Sequence, residues 1–308
     1  MTFQLMLALM AGVAFSLIAV AYRANAARGL PPAFAAVGFG LVGTVWFAFR
    51  SFWGAEAAGW SAPMLVWGLG LAAGLTQGVV VLLYREGLRH GPLAPLWCAG
   101  NLTFVTPAFY AVAMLGERLD GYQAAGMGVA FLCVVVSSLG HGEEGGAGGS
   151  SRATWAQRLR YGGLLLAMVV ATGLVGVGFK YLAVTTSGGA PLNPRYNDCF
   201  MLGLYAALTL CVIREAWRHG CPRAGLGRMA WNGLVGGAGS VVGMALTARV
   251  SGLPGGIGFA AISVASVLAG ALLTSFGFHE KRGPAWYATL VLAVVSVLLF
   301  NLSGLVAA

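Results

Sequence analysis

Long apolar runs separated by short polar turns make up most of the chain. A helix needs about 20 residues to cross the hydrocarbon of a bilayer. Read at that length, the runs fall at 3–21, 32–49, 63–83, 93–115, 121–140, 161–184, 197–213, 229–248, 256–278 and 285–305. None alternates with the period of two that a barrel strand keeps over roughly ten residues. Lipid admits only helices and closed barrels, because unsatisfied backbone groups are too costly there. The pattern therefore predicts an all-α polytopic membrane protein with ten transmembrane helices. The breaks carry turn chemistry: Pro31-Pro32, Gly91-Pro92, Pro191 with Pro194, Gly252 with Pro254, and Gly283-Pro284. Proline suits the first turn of a helix, so Pro284 is expected to open the tenth span, and Asp120 to cap the N-terminus of the fifth. The opening run, MTFQLMLALMAGVAF, has no basic stretch before it and no convincing cleavage site after it, and reads as a first span rather than a removable signal.

One segment departs from the pattern. Residues 141–153, HGEEGGAGGSSRA, are polar and rich in glycine and serine, as a flexible linker would be. They divide the chain into a first five-helix unit at 1–140, a linker at 141–155 and a second five-helix unit at 156–308. With a shift of 162–163 residues the units correspond. Glu117 falls on Glu280, Pro92 on Pro254, Gln77 on Ser240, Tyr84 on Thr247 and Asn101 on Ser263, while AYRANA around Arg23 resembles FKYLAV around Lys180 at a slightly smaller shift. An odd number of spans per unit forces the second copy to enter the membrane upside down. Such inverted repeats mark many secondary transporters, whose substrate site lies at the repeat interface near the midplane.

Composition removes the soluble alternatives. The chain is 58% hydrophobic and 9% charged, with a mean hydropathy of +0.81, where a soluble domain carries about 25% charged residues. Eighteen basic against nine acidic residues give a net charge of +9. The bases sit in short loops, where they act as orientation signals facing anionic lipid, so no nucleic-acid partner is expected. Thirteen Lys and Arg fall on the face carrying the 1–2, 3–4, 5–6, 7–8 and 9–10 connections, and five on the other. That split makes the first face cytoplasmic and both termini extracytoplasmic, in a cell membrane such as a bacterial inner membrane. Cys98, Cys133, Cys199, Cys211 and Cys221 form no framework, and most fall within spans, where a thiol is a small hydrophobe. His90, His141, His219 and His279 occupy four separate loops without ligand spacing, so no metal or cofactor is expected.

The hairpin YREGLRHGPLAP…LTFVTPAFYAVAMLGERLDGYQAAGMGVAF resembles the drug/metabolite transporter superfamily, in particular its ten-helix EamA-type members. In that family a Gly-Glu dipeptide closes the fourth helix of each unit and a glycine-rich fifth follows. Gly116-Glu117 matches this, while Phe278-His279-Glu280 keeps the acid and loses the glycine. The resemblance covers the whole chain in architecture and is specific around the two hairpins. It implies that helices one to four of each half line a central cavity, with the fifth helices peripheral. Sugar carriers belong to the same superfamily, and the signature does not separate substrates.

Glu117 and Glu280, beside Arg118 and Lys281, read either as a gate or as charges capping helix ends. All nine acids sit at span ends or in loops. Small multidrug-resistance relatives carry a glutamate within their first helix, whereas spans one and six here hold no acid. Since moving protons or cations usually needs a carboxylate inside the membrane, that form of antiport is disfavoured, leaving Glu86 and Asp198 as fallback carriers. Lys180 and Arg249 are read either as meeting an anionic substrate group or as snorkelling to the interface; Arg85 has Glu86 beside it. Uncharged polar groups make the better cavity. Gln77 and Tyr84 share one helical face, as do Ser240 and Thr247 at the same spacing, and Trp97 with Asn101 and Ser263 with Ser266 follow on the next helices. The competing reading of these groups is hydrogen bonding between helices. The glycine strings at 68–74 and 236–243 lack the strand-then-helix setting of a phosphate loop, and fit close helix packing instead.

The expected function is a secondary transporter, working by alternating access, for a small polar or amphipathic metabolite of amino-acid or organic-anion type. Its substrate-binding residues are Gln77, Tyr84, Trp97, Asn101, Lys180, Ser240, Thr247, Arg249 and Ser263. A sugar carrier of the same superfamily and a non-transporting membrane interaction protein are the alternatives. No convergent His, Asp or Cys cluster at membrane depth suggests an enzyme, and glycine-rich outer helices would permit a homodimer.

Overall fold

The structure, a computed structural model, describes residues 2–30, 32–53, 61–90, 93–103, 105–116, 120–139, 154–187, 193–218, 225–250, 257–279 and 283–306. These form eleven helices: α1 (Thr2–Ala26), α2 (Pro32–Trp53), α3 (Met64–His90), α4 (Leu93–Asn101), α5 (Val105–Leu115), α6 (Gly121–Leu139), α7 (Trp155–Ser187), α8 (Pro194–Arg218), α9 (Leu226–Val250), α10 (Ile257–Gly277) and α11 (Pro284–Val306). Seven stretches are long and apolar enough to cross a membrane, with α4 and α5 counted as one, and three shorter apolar helices complete ten. Large apolar side chains cover the outside, Val45 at 69% exposure and Phe49 at 58% among them. On a chain with seven apolar stretches of membrane-spanning length, a surface of that kind fits a lipid surrounding.

Local chemistry sets the helix ends. Asp120 accepts the backbone N–H of Gln123 at 2.7 Å, and Gln123 Oε1 accepts the N–H of Asp120 in return, a capping box that opens α6. Thr154 and Gln157 repeat the device at α7. Pro284 is the first residue of α11. Gly116 ends α5 with φ +69°, the left-handed turn that glycine adopts without strain. His279, which stands 163 residues later, takes φ 52° at the end of α10. The backbone geometry is thus kept where the glycine is lost.

The fourth span is not the single helix expected over 93–115. It breaks after Asn101 and resumes at Val105. Pro107 explains the break: it has no N–H to give the carbonyl of Thr103, and its ring would clash with that carbonyl in a continuous helix. Most of the linker expected at 141–155 lies outside the described residues, as do Glu117, Arg118, Glu280 and Lys281.

Glycine sets how closely the helices approach. α2 lies between α8 and α9, α3 packs on α8 and α7, α1 on α9 and α10, and α6 on α11. A Cβ on Gly38 would stand 2.5 Å from the Cα of Gly233, and one on Gly203 would stand 3.2 Å from the Cα of Gly70. One turn on, Gly74 meets Leu204 and Ala207, and Gly237 meets Phe39 and Val42. Gly12 rests on Ile262 and Ala265, and Gly173 on Thr103 and Thr106. Between α6 and α11, Cys133 Sγ donates to Thr289 O at 3.3 Å and Ser296 Oγ donates to Gly126 O at 2.7 Å. Thr44 and Thr209 meet hydroxyl to hydroxyl at 3.3 Å.

Candidate functional site

An aromatic and polar cluster lies where α1, α3, α4 and α10 converge. Tyr84 of α3 stacks on Tyr22 of α1 with ring centroids 5.1 Å apart, and its other neighbour is Trp97 of α4 at 6.4 Å. Trp97 donates its indole N–H to the Ser266 carbonyl at 2.8 Å, which anchors α4 to α10. Gly270 clears the space that the indole fills. Asn101, the last residue of α4, turns its amide back to the Trp97 carbonyl at 2.8 Å and so caps the broken helix end. Two buried groups near this convergence retain unused hydrogen-bonding capacity. Asn25 accepts from Asn232 at 2.7 Å while its own Nδ2 finds no partner among the described residues, and neither does Ser266 Oγ. Buried polar atoms in that condition are uncommon.

The helix break is pressed against α7. Thr106 Oγ1 donates to the Val169 carbonyl at 3.2 Å, and a Cβ on Gly176 would stand 2.6 Å from the Pro107 ring. Backbone that is not helical at membrane depth is tolerated where protein buries it or where it lines a cavity.

The structure brings Tyr84, Trp97 and Asn101 together. Ser240 belongs to a different contact, a hydrogen bond with the buried Tyr205 of α8. Thr247 bonds the Gly243 carbonyl of its own helix at 2.7 Å. Gln77 and Ser263 are half-buried and share no hydrogen bond with the others. Lys180 is half-buried in the last third of α7, and the side chain of Arg249 lies outside the described residues. Sequence reasoning missed Tyr22, Tyr205, Asn25 and Asn232. Tyr22 and Asn25 were within reach, since they flank Arg23 in the AYRANA segment, but Tyr205 sits in an apolar run with no local signal.

Two ion pairs join α2 and α3 to α8 near its opposite ends. Arg50 at the end of α2 donates Nε to Asp198 at 2.9 Å, and the Asp198 side chain is 5% exposed. Arg85 of α3 pairs with Glu215 of α8. Seventeen residues separate the two acids along α8, about 25 Å at the α-helical rise. The adjacency of Arg85 and Glu86 suggested a pair that does not form: neighbouring residues on a helix point 100° apart, and Glu86 turns instead to Arg89, His90 and Arg160. No group of three or more His, Cys, Asp or Glu among the described residues could hold a metal ion.

No protein-family model and no curated protein matches the chain. A solved crystal structure of a protein superposes on it with a TM-score of 0.62, covering 99% of this chain and 99% of its own at 16% sequence identity. The likeness is one of fold, over the full length of an integral membrane protein.

Proposed function

We propose that the protein is a secondary transporter for a small polar or amphipathic metabolite, built from two inverted five-helix units that rock about a mid-membrane site. The reciprocal contacts carry this reading. Ser296 stands 163 residues after Cys133, and Thr289 stands 163 after Gly126, so their two hydrogen bonds exchange when the halves exchange. The glycine contacts behave alike. Gly70 on Gly203 and Gly74 on Ala207 correspond to Gly233 on Gly38 and Gly237 on Val42, at shifts of 163 and 165. Thr44 and Thr209, themselves 165 apart, mark where a twofold axis would pass.

Helix direction supports inversion. α1 and α3 end at the same face, since Tyr22 stacks on Tyr84 near their C-termini. α7 begins at that face, since Arg160 bonds Glu86 at 2.7 Å. Equivalent helices α1 and α7 therefore run in opposite senses. Discontinuous helices are a usual setting of a transporter site, and the break between α4 and α5 lies beside the aromatic and amide cluster. Tyr22, Tyr84, Trp97 and Asn101 would receive the solute, with the orphan donor on Asn25 available to an oxygen acceptor. The EamA-type resemblance points the same way, and the excess of Lys and Arg on the face of the 1–2, 3–4, 5–6, 7–8 and 9–10 connections favours a cytoplasmic position for that face.

Counterflow with purified protein in vesicles tests the proposal, using labelled amino acids, organic anions and sugars. Saturable exchange that falls on Asn101→Ala, at unchanged protein level, is expected. Flux that rises linearly with solute concentration in every class would refute a carrier, and exchange of sugars alone would reassign the substrate.

A further inference from the structure

The two glycine-crossed seams differ in one respect. α3 and α8 stay close along their shared length, through Gly70, Gly74 and then Gly78 on Cys211, and finish in the Arg85–Glu215 pair. α2 and α9 begin in the same way, with Gly38 on Gly233 and Gly237 on Val42. One turn further, the positions equivalent to Gly78 and Cys211 hold Val241 and Trp46, and the position equivalent to Glu215 holds Arg50. An isopropyl group and an indole cannot nest as a glycine and a thiol do, and no acid waits at the end to close the seam. The helices part there and leave a cavity of about 740 Å³, lined only by apolar residues, Leu41, Val45, Trp46, Val241, Val242 and Leu246 among them. Leu41, Val45 and Val242 are 47%, 69% and 49% exposed, so the groove opens outward to the bilayer.

We propose that this groove holds an acyl chain of an anionic membrane lipid, with the headgroup at Arg50. Its volume falls within the roughly 300–1,000 Å³ of small-molecule sites, and its almost wholly apolar lining offers little to a polar solute. Lipid tails are as apolar as leucine, so burial alone gives no preference for one lipid over another. Shape and headgroup must supply it. Arg50 lies one turn beyond Trp46 on the same stripe of α2. Its Nε is committed to Asp198, yet the side chain remains 38% exposed. A guanidinium has five N–H donors, so the terminal nitrogens can meet a phosphate while the ion pair persists.

The test uses the full chain in phosphatidylcholine nanodiscs containing a small fraction of phospholipid brominated at mid-chain. Tryptophan fluorescence is read with and without Trp46→Phe, so that the difference reports Trp46. Brominated phosphatidylglycerol is expected to quench Trp46 with about fivefold preference over brominated phosphatidylcholine, the effect of one surface-lying arginine on an anionic lipid. Ala245→Phe, which fills the groove, should remove that quenching and leave the other tryptophans unchanged. The double variant Arg50→Gln with Asp198→Asn, which strands no buried charge, should abolish the preference and keep the quenching. Equal quenching by both lipids, indifference to Ala245→Phe, or a Trp46 that neither lipid reaches because a second copy covers it would each overturn the proposal.

Discussion

Adding one methyl group at chosen glycines separates close helix packing from mere composition. Gly70→Ala would place a Cβ 2.5 Å from the Phe200 carbonyl oxygen, and Gly233→Ala would place one 2.7 Å from the Gly38 Cα. Both obstacles are backbone atoms, which cannot turn aside as a side chain can. Carbon contacts settle at about 3.5–4.0 Å, so each pair of helices must part by about 1 Å. Overpacking of that kind costs about 1–3 kcal/mol. The alanine returns up to about 1 kcal/mol through its better helix propensity.

Gly68 supplies the control on the same helix, because a Cβ there meets nothing within 4 Å. The propensity gain is common to both sites and cancels in the comparison. Gly70→Ala should therefore lie about 1–3 kcal/mol below Gly68→Ala, on the overpacking cost alone, in reversible unfolding of the purified protein in mixed dodecyl-sulfate micelles. Gly233→Ala should match Gly70→Ala. Equal stabilities for Gly68→Ala and Gly70→Ala would refute the close approach. A costly Gly70→Ala beside a neutral Gly233→Ala would refute the equivalence of the two seams.

Other outcomes follow from the same geometry. Pro107→Ala returns an N–H to the Thr103 carbonyl, relieving up to about 3 kcal/mol; unfolding should shift upward while vesicle uptake slows, and unchanged uptake would count against a role for the break. Asp198→Asn leaves Arg50 without its anion. A wholly buried pair broken in this way loses about 3–5 kcal/mol, and the 38% exposure of Arg50 puts the expected loss below that, recoverable by Arg50→Gln in a double-mutant cycle. His279→Gly should stabilise, because left-handed backbone costs a residue with a Cβ about 1–2 kcal/mol, while Gly116→Ala should destabilise by a similar amount. Interhelical hydrogen bonds in membranes average about 0.6 kcal/mol, so Ser296→Ala should cost about that much and Cys133→Ala no more; a large asymmetry would argue against equivalent contacts.

A repetition of positions is legible in the sequence because turn and end residues obey local rules. Glu117 and Glu280 stand 163 residues apart, Gly116 and His279 likewise, and the same shift relates Cys133 to Ser296. The partners of the glycines were not readable. Gly70 and Gly239 look alike in the sequence, yet Gly70 meets α8 and Gly239 meets Ala14 and Leu17 of α1. Small residues permit close approach without specifying a neighbour. The candidate site divides along the same line. Trp97 and Asn101 are joined by an i,i+4 hydrogen bond that spacing anticipates, whereas Tyr22 reaches Tyr84 only because two helices distant in sequence converge. Thr247 shows the converse limit. Its spacing from Ser240 copies that of Tyr84 from Gln77, but a threonine hydroxyl can satisfy itself on the carbonyl four residues back, and a tyrosine cannot. Repeated spacing therefore does not carry side-chain chemistry with it, as Thr247 and Tyr84 show. On the proposed twofold, one sealed seam and one open seam are what such divergence would produce, since Val241 and Trp46 stand where the other seam has Gly78 and Cys211.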